Sequence, residues 1–197
     1  SSNCIINRCR IINNKSLSNG SGIYNSASNP SIRNCLIAGN LTPAAGGGIY
    51  NSSASPSIIN CTIAGNKAFG GGGIYTVFSS NALIKNSIIW GNIATSSGNA
   101  FYTTGSGAIT VSYSNIEGGS AGTANINSDP LFINPQSANL APTAAGDYRL
   151  PNCSPCINMG NNTLEIGTSS SSLGNISRQG GSIRGKLKRW FAPSVVS

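Results

Sequence analysis

The chain has 197 residues, enough for one domain or a modest repeat array. Gly, Ser and Asn fill more than two-fifths of it, which argues against a helical bundle: Gly loses backbone entropy, and Ser and Asn bond their own backbone. Charged residues make up 8% and apolar ones 39%, excluding a charged coiled coil, an acidic disordered tail and a plain linker, and no apolar run approaches a membrane span of roughly 18 residues. The net charge of +8 is concentrated at one end, because Arg178, Arg184, Lys186, Lys188 and Arg189 carry much of it. The body is nearly neutral, so no nucleic-acid partner is expected.

In chain order, one pattern returns every 26 residues. Cys9, Ile11 and Asn14 open it. Gapless copies follow at Ser31–Asn40, Ser57–Asn66 and Leu83–Asn92, and a weaker one at Ala108–Gly118. A second motif lies between them: Gly22-Ile-Tyr24, Gly48-Ile-Tyr50, Gly73-Ile-Tyr75 and Ala100-Phe-Tyr102. Each copy holds short alternating runs broken by Gly or Asn, which read as strands. A period of this length made of strands predicts an all-β solenoid, a parallel β-helix of about five coils stacked about 4.8 Å apart. The leucine-rich repeat shares the period but needs Leu where this chain has Ile, Cys, Gly and Ser. Coils are expected over 1–135, a terminal capping region over 136–168, and a Ser-rich spacer with a basic, disordered tail over 169–197.

Stacking brings equivalent residues into ladders. Ile11, Ile37, Ile63 and Ile89 are expected to form one inward stack, and Ile32, Ile58 and Ile84 another. Asn14, Asn40, Asn66 and Asn92 are expected to form an amide ladder, each giving to one neighbouring coil and accepting from the other. Cys9, Cys35 and Cys61 share a position that Ser87 takes next, which reads as a buried thiol ladder. Vertical neighbours about 4.8 Å apart stand too far apart at Cβ for a disulfide. Cys153 and Cys156 form a lone C-x-x-C, open to a local disulfide or to plain packing. With no His and no second pair, zinc is not expected.

The candidate binding surface is aromatic. If Ile23, Ile49, Ile74 and Phe101 point inward, alternation turns Tyr24, Tyr50, Tyr75 and Tyr102 outward, and Trp90 likewise alternates with Ile89. Such a stripe is expected to stack on sugar rings or simply to shield the sheet.

The Gly-Gly-Gly-Ile and Ile-x-x-Asn pairs (Gly46–Ile49, Ile63–Asn66) resemble the repeats of chlamydial polymorphic outer-membrane proteins, with Ile in place of Phe. The run to about residue 118, followed by Asp129-Pro-Leu-Phe132, Gly146-Asp-Tyr-Arg-Leu150 and Ser154-Pro-Cys-Ile-Asn-Met-Gly160, is similar to right-handed parallel β-helix proteins of the pectin-lyase-like superfamily. The resemblance covers residues 1 to 162 and implies a secreted or bacterial surface protein. The chain opens mid-coil without a signal segment, so it reads as a fragment. After Gly180-Gly-Ser-Ile183 it diverges into a basic run with Trp190 and Phe191, for which a reading-frame change or a truncated gene near residue 184 is expected.

The resemblance also raises polysaccharide lyases and glycoside hydrolases, whose chemistry requires paired or clustered carboxylates. Residues 1–116 contain no Asp or Glu. The four acids, Glu117, Asp129, Asp147 and Glu165, are scattered. No catalytic residue, metal or cofactor is therefore expected. The expected function is a rigid adhesin or scaffold contacting glycans. The alternative is a fragment of a carbohydrate-active enzyme whose site lies in other coils. A monomer is expected, with an aggregation-prone open edge at the first coil.

Overall fold

A computed structural model describes residues 3–161. The Ser169–Ser172 spacer, the basic run after residue 184 with the frame change or truncation expected there, and Glu165 lie outside the described residues. Sixteen short strands follow in chain order: β1 Ile5–Asn7, β2 Arg10–Ile12, β3 Ile23–Ser26, β4 Ser31–Arg33, β5 Leu36–Ala38, β6 Ile49–Ser52, β7 Ser57–Ile59 and β8 Thr62–Ala64. The second half holds β9 Lys67–Gly70, β10 Ile74–Val77, β11 Asn81–Lys85, β12 Ile88–Trp90, β13 Ile93–Ser97, β14 Phe101–Thr103, β15 Ala108–Ser112 and β16 Asn115–Ile116. The one helical element among the described residues is a 3-10 turn at Ala138–Leu140.

All strand pairings are parallel, and each joins one coil to the next. The sheets run β1-β4-β7-β11-β15, β2-β5-β8-β12-β16 and β3-β6-β10-β14, with a small β9-β13 pair between the second and third. The chain is a parallel β-solenoid of about four turns. The fifth repeat supplies β15 and β16 but has no strand in the third sheet. That copy is the weakest in sequence, and it leaves the β14 edge without a strand partner.

The register puts like over like. Ile6, Ile32, Ile58, Ile84 and Val111 form one column, and Ile11, Ile37, Ile63, Ile89 and Ile116 a second. Ile23, Ile49, Ile74 and Phe101 form the third. These columns meet in one core. Each fully buried Ile contributes about 1.5–3 kcal/mol, and its cover comes from the neighbouring coils. The bend before each ladder Asn takes a left-handed residue, as its Gly and Asn content predicts: Asn13, Gly39, Gly65 and Gly91 have φ of 58°, 61°, 64° and 66°.

Beyond β16 the chain makes two different structures. Residues 119–128 lie over the last coil, with Ile126 bridged to Asn115 and the Tyr113 N–H donating to Thr123 O. The segment from Asp129 to Asn161 then folds along the flank of the solenoid. Asn134 and Asp147 pair in an antiparallel bridge, the Thr143 N–H donates to Gly39 O, and Asn86 bonds Asn161. Phe132, Tyr148, Leu150 and Cys156 bury themselves against Leu36, Ala38, Ala64 and Ile88 on the outer face of the β2-β5-β8-β12-β16 sheet. Much of the region expected as a terminal cap is thus a lateral strap, because this sheet presents apolar residues on both faces.

Candidate functional site

The Asn ladder is the most complete constellation in the molecule. Asn14, Asn40 and Asn66 each donate from Nδ2 to the Oδ1 of the next rung, at 2.9, 2.8 and 2.9 Å. That same Oδ1 also takes the main-chain N–H of the preceding rung at 3.0 Å. The second Nδ2 hydrogen of Asn40, Asn66 and Asn92 goes back to Ile11 O, Ile37 O and Ile63 O. Each central amide therefore bonds the coils on both sides, which offsets the cost of its burial.

Two further polar ladders escaped the reading of the repeats. Asn25 donates to Asn51 Oδ1 at 2.8 Å and Asn51 to Thr76 Oγ1 at 3.4 Å, all three being buried. Asn60 donates to Asn34 and Asn34 to Asn7, on a corner that is part-buried at the first bond and exposed at the second. Recurrence of Asn at the 26-residue offset was a visible signal for both.

Cys9, Cys35 and Cys61 do stack, and all six cysteines are free, including Cys153 and Cys156. The Cys35 thiol donates to Arg33 O at 3.0 Å and Cys61 to Ile59 O at 3.3 Å. Ser87 and Ser114 repeat this bond to Lys85 O and Ser112 O. A hydroxyl and a thiol thus play one structural part, which explains the exchange of Cys for Ser along the column. Burial pushes the Cys61 thiol well up, while hydrogen bonding from Cys61 draws Cys35 down.

The tyrosines form a continuous stack. Ring centroids of Tyr24, Tyr50, Tyr75 and Tyr102 stand 5.1, 5.4 and 5.7 Å apart, and the first two pairs are near-parallel at 18° and 11°. The outward expectation needs correction for Tyr50, which is 8% exposed because Tyr24 and Tyr75 cover both its faces, whereas Tyr24 is 53% exposed. Burial and the neighbouring phenols push the Tyr50 hydroxyl up. A sugar ring stacks on an open aromatic face, and the inner rings of this column have already used theirs on each other. Edges and hydroxyls remain along the stripe, and the two end rings, Tyr24 and Tyr102, are the exposed ones.

Trp90 does not belong to that surface. It is partly buried and packs against the cluster containing Ile88, Phe132, Tyr148 and Leu150, beneath the strap. Its sequence neighbours gave the signal: Leu36-Ile-Ala38, Thr62-Ile-Ala64 and Ile88-Ile-Trp90 lack the polar alternation of a solvent-facing strand.

The described acids stay apart. Glu117 Oε2 accepts the Gly91 N–H at 2.8 Å, and Asp129 Oδ1 accepts the Leu131 N–H at 2.8 Å. Asp147 forks onto Arg149, whose guanidinium holds the carboxyl below its usual range. Among the described residues no group of three His, Cys, Asp or Glu is placed to hold a metal ion, and no helix is long and apolar enough to cross a membrane. No protein-family model, no curated protein and no solved structure matches this chain.

Proposed function

We propose that this chain is a rigid β-solenoid scaffold of a secreted or bacterial surface protein, of the pectin-lyase-like kind, acting as an adhesin or spacer without chemistry of its own. The observation that carries the reading is where the polar side chains go. Asn, Ser and Cys ladders bond coil to coil, and each described acid is engaged with a nearby N–H or with Arg149. A hydrolase or lyase needs carboxylates gathered on one substrate, an arrangement these residues do not make. What the solenoid offers a partner is length, regularity and a column of phenol edges. Glycan contact on this surface runs through the tyrosine hydroxyls and the exposed end rings Tyr24 and Tyr102, rather than through stacking along the whole stripe.

Incubation of the folded chain with acidic and neutral polysaccharides, with and without Ca²⁺, tests the reading. No new reducing or unsaturated ends are expected. Their release would make this a carbohydrate-active enzyme instead. Glycan retention on an affinity column should fall most for Tyr24→Ala, which removes an open ring face, and less for Tyr75→Phe, which removes one hydroxyl from a ring already stacked between its neighbours.

A further inference from the structure

The glycine corner between the second and third sheets has an unusual hydrogen-bond pattern. Four consecutive N–H groups, Gly20 to Ile23, all donate forward to Ala45, Gly46, Gly47 and Gly48. The next run, Gly46 to Ile49, donates to Gly70, Gly71, Gly72 and Gly73, and Gly71 to Ile74 donates to Ser97, Gly98, Asn99 and Ala100. The peptides therefore line up in four continuous columns along the solenoid axis, every dipole pointing the same way. Aligned peptide dipoles sum to a positive pole at the free N–H end, as they do in a helix, and successive N–H groups form anion-binding concavities. That end is the run Gly98, Asn99 and Ala100, with Phe101 next to it, and none of the first three donates to an acceptor among the described residues.

Two observations say what fits there. The first is steric. At the repeat position of Gly22, Gly48 and Gly73, an added Cβ would collide with the carbonyl of the coil above; at Gly48 it would stand 2.5 Å from Gly73 O. The last member of this series is Ala100, so its methyl group stands where a further coil would need its carbonyl. Another backbone layer in the register of the coils below would have to shift around this methyl group, while a compact group resting on the N–H row would not. The second is chemical. At the same end of the stack the Gly91 N–H takes a carboxylate oxygen from Glu117, and the Ser114 N–H takes an amide oxygen from Asn125. Two donors left over at this end are thus met by side-chain oxygens, whereas Gly98, Asn99 and Ala100 have no such acceptor among the described residues.

We propose that the main-chain N–H groups of Gly98, Asn99 and Ala100 form a binding site for a compact oxyanion. The test is an amide-resolved NMR titration of the full chain with sodium sulfate, against sodium chloride at matched ionic strength. Saturable shifts confined to Gly98, Asn99, Ala100 and Phe101 in sulfate are expected, and their absence, or equal shifts in chloride, overturns the site. Asn99→Asp keeps the side-chain oxygen that accepts the Ala94 N–H and places a charge at the positive pole. It should weaken the sulfate response at least tenfold and raise Tm. Asn19→Asp, at the opposite pole, should leave the sulfate response intact and lower Tm. An Asn99→Asp protein that titrates like the parent refutes the assignment, as does one whose Tm moves in the same direction as that of Asn19→Asp.

Discussion

The coil body and the strap at Asp129–Asn161 are held in place in different ways. In the body each residue meets its own kind one coil away: Ile63 lies between Ile37 and Ile89, and Asn66 between Asn40 and Asn92. The strap has no period. It is held by one antiparallel bridge, a few side-chain bonds such as Lys67 to Asn139, and apolar residues seated on an apolar sheet face. A repeat specifies its neighbour by repeating itself, whereas a strap depends on whatever surface the repeat leaves uncovered.

The largest test of that contrast is truncation inside the body. Ile63→Ala should cost about 2–5 kcal/mol in denaturant unfolding, since the coils above and below cannot collapse into the space. Leu131→Ala, on the partly exposed edge of the strap, should stay within about 0.5 kcal/mol. Equal losses would mean that the body is no better packed than the strap.

Next comes the amide ladder. Asn66→Ala removes the acceptor for Asn40 and the donor to Ile37 O and Asn92, at about 1–3 kcal/mol for each buried group left unpaired. Asn60→Ala, on the half-buried ladder, leaves an Asn34 amide oxygen nearer to water and should cost less. Thermal unfolding of the two variants side by side decides whether burial sets the value of a rung.

The smallest effect belongs to the strap. The Tyr148 hydroxyl is buried, and among the described residues no hydrogen bond of normal geometry reaches it, although the Gln136 backbone lies beside it. Tyr148→Phe removes a desolvated polar group while keeping the edge-on contact with Phe132, so it should be neutral or stabilise by up to about 1 kcal/mol. A clear loss would show that the hydroxyl is bonded in solution and that the strap is more specifically held than its contacts suggest.

Much of the body was legible because a solenoid turns sequence period into spatial neighbourhood. Ile, Asn and Cys at a fixed offset had to stack once the elements were strands, and the parallel register followed from the absence of gaps. Ser87 and Ser114 fitted the cysteine column because a hydroxyl and a thiol make the same bond to the carbonyl two residues back. Alternation gives the tyrosine column but not the exposure of its rings. Alternation fixes the direction in which a ring leaves the strand, and only the spacing of about 5 Å between rings decides that they close on each other.

Local pattern alone was therefore enough for the coil length, the Ile and Cys columns, the Asn14–Asn92 ladder and the left-handed bends, since each depends on a few neighbouring residues or on identity one period away. The tertiary structure decided the path of residues 129–161, the burial of Trp90, the covering of Tyr50 and the open row of N–H groups at Gly98–Ala100. Each of these depends on what lies across a surface rather than along the chain. No period links the strap to the sheet it covers or the last coil to the layer it lacks.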